Sequence, residues 1–172
     1  MRPDMPIEQL VRRTDTHFQL GFGAQARERL GESDEFALHP SRDGLLVLAR
    51  NEESLVPPVD LLRELYRAKL DVQPPRVRLL AGVQVKEPIM HVRIALQARF
   101  LDAVARAMLG RGALPSEEYA RGRHCVLRYE APLAHLLGLG TELEEITAGT
   151  AKYWTALSHY GLVTRPPGGD AA

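Results

Sequence analysis

Arginines are concentrated between residues 106 and 128, where their side chains could bind phosphate groups. The guanidinium group is planar and can donate two parallel hydrogen bonds to one phosphate, so clustered arginines are typical of surfaces that position a protein on nucleic acid. The candidate contacts are Arg106, Arg111, Arg121, Arg123, Arg128 and, further along the chain, Lys152. The alternative is a solvated face on which these arginines form ion pairs with Glu117, Glu118 or Glu130.

An aromatic pair, Tyr153 and Trp154, directly follows Lys152. Successive side chains of a strand point to opposite faces, so one ring is expected in the core and the other at the surface. An exposed ring beside a lysine could stack on a nucleic-acid base. Core packing is the interpretation that we favour for this pair.

The other reactive residue types form no catalytic or metal-binding pattern in the sequence. No two of the six histidines have the His-x-x-x-His spacing of a helical metal site. The single cysteine, Cys125, follows His124 on a predicted strand, so their side chains face opposite ways and Cys125 is expected to be a small core residue. We therefore predict no catalytic residue, no metal and no cofactor, and a protein that is not an enzyme.

Composition indicates a folded protein without a strong charge bias. The chain has 172 residues, of which 45% are hydrophobic and 26% charged, and its 22 basic and 22 acidic residues cancel. This balance excludes a strongly basic nucleic-acid coat, and no DNA partner is expected. There is neither a signal-peptide pattern nor an apolar run of the roughly 20 residues that span a bilayer, so we expect a cytoplasmic protein without a membrane partner.

Apolar periodicity in the first half predicts the element order β-α-β-β-α-β. Residues 1–16 are polar and are expected to be a flexible lead-in. The predicted elements are a strand at 17–22, a helix at 24–30, strands at 34–40 and 45–51, a helix opened by Pro57 and Pro58, and a strand at 74–82. This order is that of a ferredoxin-like sandwich, and it defines a domain at 17–82.

The second half repeats the same order of elements. The predicted elements are a strand at 89–96, a helix at 99–110, strands at 113–120 and 123–131, an interrupted helix at 132–147 and a strand at 152–163. We therefore predict an α+β protein with two tandem ferredoxin-like βαββαβ sandwiches. The second domain is expected at 83–164, followed by a disordered tail at 165–172.

Several motifs of the second half occur in the order found in one known family. They are Glu87-Pro88-Ile89-Met90, Gly110-Arg111-Gly112, Arg121-Gly122, Pro132-Leu133-Ala134, Thr141-Glu142-Leu143 and His159-Tyr160. With these motifs, residues 87–163 resemble domain V of bacterial elongation factor G and the related ribosomal-protection proteins. The first half is similar, less specifically, to domain III of the same factors.

The chain also departs from the pattern of this family. It has no Gly-x-x-x-x-Gly-Lys-Ser/Thr loop, which a GTPase domain would need, and no room for domain IV between Arg78 and Glu87. The Thr-x-Gly-Arg-Gly motif of the family corresponds to residues 147–151, with Thr150 in place of the arginine. The parts that the family uses for GTP hydrolysis and for tRNA movement are therefore not expected here.

The resemblance implies a non-enzymatic, ribosome-associated protein that modulates translation. It would dock near the factor-binding region of the large subunit, through ribosomal RNA and ribosomal protein, with the six cations given above as candidate contacts. An acidic run on the last predicted helix, Glu142, Glu144 and Glu145, is expected to be a solvated face, or else a contact for a basic ribosomal protein. The alternative function is a protein–protein interaction module or homodimer without a role at the ribosome, joined through exposed edge strands.

Overall fold

The first half folds into strands and helices, and the first strand and the first helix begin earlier than predicted. The computed structural model describes residues 4–31 and 33–163. The elements of the first unit are β1 (Ile7–Arg13), α1 (Gln19–Leu30), β2 (Phe36–Pro40), β3 (Leu45–Ala49), α2 (Val56–Tyr66), β4 (Leu70–Val72) and β5 (Arg76–Val77). Strand β1 pairs antiparallel with β3 on one side and with β4 and β5 on the other, and β2 pairs with β3 at the edge. The predicted βαββαβ order is therefore confirmed.

Two predictions at the start of the chain are wrong. Residues 7–13 are not a flexible lead-in, because they form the central strand β1, with Ile7 and Val11 completely buried. Residues 17–22 are not a strand, because helix α1 begins at Gln19. The buried side of α1 consists of Gln19, Phe22, Gly23 and Ala26, a helical spacing in which two of the four residues are not apolar.

Gln19 and Gly23 are buried in α1 for specific reasons. The Gln19 amide donates to the carbonyls of Arg13 and Thr16 at 2.8 and 2.7 Å and accepts from the Arg13 N–H at 3.0 Å, so its side chain holds the connection between β1 and α1. A Cβ atom at Gly23 would lie 3.1 Å from Pro40. Glycine therefore allows α1 to pack closely against β2.

The fourth strand of the first unit differs from the predicted strand at 74–82. It is divided into β4 and β5 around Pro74 and Pro75, which have no N–H to donate to β1. The helix before it matches its prediction, since α2 begins at Val56 and carries prolines in its first turn.

The second unit follows its predicted elements closely. They are β6 (Lys86–Gln97), α3 (Leu101–Gly110), β7 (Leu114–Arg121), β8 (His124–Pro132), α4 (Leu133–Leu136), α5 (Leu139–Thr147) and β9 (Lys152–Leu162). Gly138, which has φ +75°, separates α4 from α5 where the interruption was predicted. The strands form one antiparallel sheet in the order β7-β8-β6-β9. The fold class, α+β with two ferredoxin-like sandwiches, is confirmed.

Alternation along these strands buries one face of the second sheet. Met90, Val92 and Ile94 of β6 are at most 1% exposed, and Cys125 lies in the same core, as predicted. The buried residues of the helices, such as Val104 and Leu143, complete this core. The helices therefore pack on one face of the sheet, and the side chains of the other face point into solvent.

The chain divides into its two units between Arg78 and Leu79, four residues before the predicted start of the second domain at 83. The predicted tail at 165–172 lies outside the described residues. No helix in the described part of the chain is both long and apolar enough to cross a membrane. In the same residues, no three His, Cys, Asp or Glu side chains are grouped as metal ligands would be.

Candidate nucleic-acid interface

The six predicted contact cations do not form a single patch. Arg106 is exposed on α3, and Arg111 follows the last residue of that helix. Arg121 and Arg123 flank Gly122 between β7 and β8, whereas Arg128 and Lys152 lie on the solvent face of the sheet. The six cations therefore fall into three groups. Arg121 and Arg123 are the hairpin pair, Arg128 and Lys152 are the sheet pair, and the other two arginines lie on or next to α3.

Arg111 is held within the second unit by several bonds. Its Nε donates to Glu142 Oε2 at 2.6 Å, and one terminal nitrogen donates to the carbonyls of His135 and Leu137 at 2.7 and 3.1 Å. The side chain is only 19% exposed. Since these bonds join the end of α3 to the α4–α5 connection, Arg111 has a structural role.

The three carboxylates of the acidic run on α5 have different environments. Glu142 is the ion-pair partner of Arg111, whereas Glu144 and Glu145 are exposed. The first prediction for this run, a solvated face, is therefore correct for Glu144 and Glu145 and wrong for Glu142.

The hairpin pair is presented by a tight turn. Arg121 faces His124 in the strand register, so Gly122 and Arg123 form a two-residue loop. Gly122 has φ +62°, a conformation that glycine adopts without strain. Arg121 and Arg123 are both exposed, and neither forms an ion pair with any residue in the described part of the chain. Both guanidinium groups are therefore available to a partner.

The solvent face of the second sheet, here called the open face, is organised in rows across the four strands. One row is Glu117, Arg128, Arg93 and Trp154, and the neighbouring row is Tyr119, Val126, Ala95 and Lys152. Arg128 donates to Glu117 at 2.8 Å, so for this arginine the ion-pair alternative is correct. Such an exposed pair contributes little to stability and neutralises that side of the row.

Trp154 lies on the open face, so the predicted division of the Tyr153–Trp154 pair between core and surface is confirmed, although core packing was the favoured interpretation for the pair. The Trp154 side chain is 51% exposed. Tyr153 points the other way, since its hydroxyl would lie 2.5 Å from a Cβ atom at Gly140 on α5. The guanidinium carbon of Arg93 lies 5.3 Å from the centre of the Trp154 ring, a cation–π contact. Arg93 is a candidate that the list of predicted contacts omitted.

A depression of about 430 Å³ crosses the open face. We call it the sheet groove, and its lining includes His91, Arg93, Ser116, Arg128, Trp154 and Ala156. The groove has the volume of a small-molecule or nucleotide site, for which roughly 300–1,000 Å³ is usual. Its lining combines cations and the Glu117 carboxylate with two large rings, Tyr129 and Trp154, and with short side chains.

A polar cluster occupies one end of the open face. Ser158 donates to Glu130 Oε1 at 2.8 Å and contacts His159 Nδ1 at 3.0 Å, while His91 Nδ1 lies 4.0 Å from the same carboxylate oxygen.

On the buried face, desolvation and then the nearby Glu118 carboxylate raise the pKa of Tyr129. The phenol of Tyr129 is therefore protonated at neutral pH and serves packing.

The fold and the comparisons with known proteins agree for the second unit. Both units are ferredoxin-like α+β domains, and the second presents cations on a hairpin and on an open sheet face. Residues 84–168 match the model of the family described as elongation factor G C-terminus. The second unit therefore belongs to that family, as the sequence motifs indicated.

One similar relative is elongation factor G 2 of Hahella chejuensis (strain KCTC 2396). The two are 36% identical over 81 residues, which cover 46% of this chain and 12% of the relative. The chain thus matches only a small part of the length of that factor. A crystal structure of ttk003000868 from Thermus thermophilus aligns with 96% of this chain and 41% of its own chain, with a TM-score of 0.65 and 14% identity. That likeness shows the fold across both units.

Proposed function

We propose that this is a non-enzymatic, cytoplasmic, ribosome-associated protein that docks through its second unit near the factor-binding region of the large subunit and modulates translation. The observation that carries the proposal is the exposed pair Arg121 and Arg123 on a tight hairpin of an elongation factor G C-terminus domain. Both arginines lack an ion-pair partner in the described residues, so their charge is available for phosphate.

The proposal assigns different weights to the six predicted cations. Arg121 and Arg123 are expected to make the main phosphate contacts, with Arg106 and Lys152 as further exposed contacts. Arg111 is expected to act through the structure of the unit, because Glu142 and two carbonyls hold its guanidinium group. Arg128 is partly neutralised by Glu117.

Sedimentation with purified large subunits tests the docking. The double variant Arg121→Gln/Arg123→Gln should bind more weakly than the original chain, and the slope of log K against log salt should fall by roughly 1.4–1.8 for two lost phosphate contacts. Arg27→Gln/Arg29→Gln is a matched control, since both residues are exposed on α1 of the first unit. Equal binding by both double variants would contradict the proposal.

Modulation of translation requires a separate measurement. If the chain occupies the factor-binding region, adding it to a reconstituted translation reaction should slow elongation, and additional elongation factor G should reverse the effect. The Arg121→Gln/Arg123→Gln variant should lose this effect in proportion to its loss of binding. Inhibition that additional factor does not relieve would place any docking elsewhere on the ribosome.

One observation favours the alternative, a protein–protein module or homodimer. All eight residues of the edge strand β7 are exposed, including Leu114 at 70% and Tyr119 at 61%. An exposed edge can pair with a strand of another chain, although Pro115 removes one donor from it. Light scattering over a range of protein concentrations distinguishes the two functions: a stable dimer that Tyr119→Lys dissociates would support the alternative.

A further inference from the structure

We infer that the open face of the second unit binds an unpaired segment of ribosomal RNA, with one base stacked on Trp154 and the flanking phosphates held by Arg93 and Lys152. This inference rests on the proposed function and names the surface and the form of RNA that it uses. It concerns the β6–β9 side of the sheet, away from the β7–β8 hairpin, and it uses Trp154 and Arg93, which are not among the six predicted cations, together with Lys152, which is.

The position of Trp154 is the first observation. A tryptophan that is 51% exposed leaves much of its apolar ring in contact with water, where a planar partner can cover it. The residues two positions away on the same face are Lys152 and Ala156, one flexible and one short, so neither covers the ring as a bulky neighbour would. The part of the ring that Arg93 leaves uncovered is therefore accessible to a planar group such as a base.

The charges beside the ring are the second observation. Arg93 contacts the Trp154 ring, and neither Arg93 nor Lys152 forms an ion pair within the described residues. Across the sheet, Glu117 neutralises Arg128. Arg93 and Lys152 therefore retain their charge on the β6–β9 side of the open face, where the exposed ring also lies.

The spacing of these groups suits a single strand of RNA. Lys152 and Trp154 are two residues apart on one strand, which separates their positions by about 6.6 Å, so the strand presents a cation for the backbone beside a ring for a base. A guanidinium group stacked on a ring can still donate at its edge to a phosphate. Arg93 can therefore support the ring and contact the backbone at the same time.

The chemistry of the face favours RNA over a protein partner. Arginine and tryptophan are enriched in protein–protein interfaces, but lysine is depleted there. On the open face, Lys152 lies beside Trp154 and Arg93, and neither cation has an ion-pair partner in the described residues, which suits contact with phosphate. A duplex keeps its bases stacked on each other and cannot offer one to Trp154. Four-stranded antiparallel sheets with exposed aromatic residues bind single-stranded RNA in other proteins by this stacking.

Fluorescence offers a direct test, because Trp154 is the only tryptophan of the chain. An unstructured pyrimidine-rich oligoribonucleotide of about ten bases, within the usual range for such sites, should quench its emission. A duplex of the same length should quench it much less. High salt should weaken the effect, with a slope of roughly 0.7 for each phosphate contact. Absence of quenching at low salt would overturn the inference.

Variants measured with a labelled oligoribonucleotide give a second readout. Trp154→Ala should weaken binding about 5- to 100-fold, and Trp154→Phe should restore most of the affinity, since it retains a ring. Arg93→Gln should also weaken binding and lower the salt slope. The controls are Phe18→Ala, an exposed ring of the first unit, and Arg29→Gln. Equal affinity of Trp154→Ala and the original chain would contradict base stacking.

The outcomes separate this inference from the proposed function. Sedimentation with large subunits that Trp154→Ala leaves unchanged would retain the proposed function and overturn the inference. Oligoribonucleotide binding through Trp154 without sedimentation would overturn the proposed function and the ribosomal source of the RNA, and would retain only a single-stranded RNA site on the open face. If the emission of Trp154 changes with protein concentration as a dimer forms, the open face belongs to a second copy, and the inference is wrong.

Discussion

The two faces of the second sheet are formed by the same four strands and have opposite chemistry. On the buried face of β6 lie Met90, Val92 and Ile94, while His91 and Arg93 alternate with them on the open face. Along each strand, apolar residues for the buried face thus alternate with more polar residues for the open face. Because burial of apolar surface is the main stabilising contribution, the folding free energy depends chiefly on the first face, and the second face carries the proposed binding site.

Arg111 shows that charge alone does not assign a residue to the binding surface. It is a cation like Arg121, yet its guanidinium group has three partners within the unit, and Arg121 has no ion-pair partner in the described part of the chain. Burial and bonding separate the two arginines, and substitutions can test that separation.

The largest effect is expected at the buried face. Ile94→Ala should lower the free energy of unfolding by about 2–5 kcal/mol, because Ile94 is completely buried and its loss leaves a cavity. Arg93→Ala, next to it on the open face, should cost less than about 1 kcal/mol. Urea unfolding of both variants measures the difference. Similar losses would show that the open face contributes to the core.

The next largest effect is expected at Arg111. Arg111→Met should destabilise the second unit by about 1–3 kcal/mol, since Glu142 and the carbonyls of His135 and Leu137 lose their donor. Arg121→Met is the matched control and should change stability by less than about 0.5 kcal/mol. If Arg111→Met were as stable as the control, its bonds would contribute little to the fold.

Trp154→Ala should have a smaller effect on stability. The ring is about half exposed, so its removal should cost about 1 kcal/mol, mainly through lost contact with Arg93 and the sheet. Thermal unfolding followed by circular dichroism measures this change. A loss comparable to that of Ile94→Ala would indicate that the ring serves packing, as the sequence analysis favoured.

The share of the secondary structure that the sequence predicted differs between the two units. In the second unit the apolar spacing matches the elements that form, so all four strands and the broken helix were found. In the first unit, Ile7 and Val11 are four residues apart, a spacing that suits one face of either a helix or a strand. The buried side of α1 includes Gln19 and Gly23, so its helical pattern is not visible as apolar periodicity.

The sequence predicted only part of the candidate site, and the reason is different from the one that applies to the fold. Residue type identified the arginines, but their partners lie far away in the chain: Glu142 is 31 residues from Arg111. Arg93 and Trp154 come together only through the register of β6 and β9, and that register shifts at Ile89 and Met90. A single sequence does not give strand register, so the contact between them could be found only in the structure.

The smallest effect is expected at an exposed ion cluster of the first unit. A hydrogen bond from Arg13 at 2.6 Å, and then one from Lys69, lower the pKa of Asp15 to about 2. A carboxylate whose pKa is lower in the folded than in the unfolded state stabilises the fold above the unfolded pKa, near 4, and loses that contribution as the pH falls towards 2.

Asp15→Asn should therefore have a slightly lower free energy of unfolding than the original chain at pH 5. The two values should converge near pH 2. Urea unfolding at both pH values, monitored in the first unit, measures the difference. Since the carboxylate is exposed, solvent screens its attraction to Arg13 and Lys69, and the gap at pH 5 should be smaller than the loss caused by Arg111→Met. A larger gap would mean that exposed ion pairs contribute to stability as buried ones do.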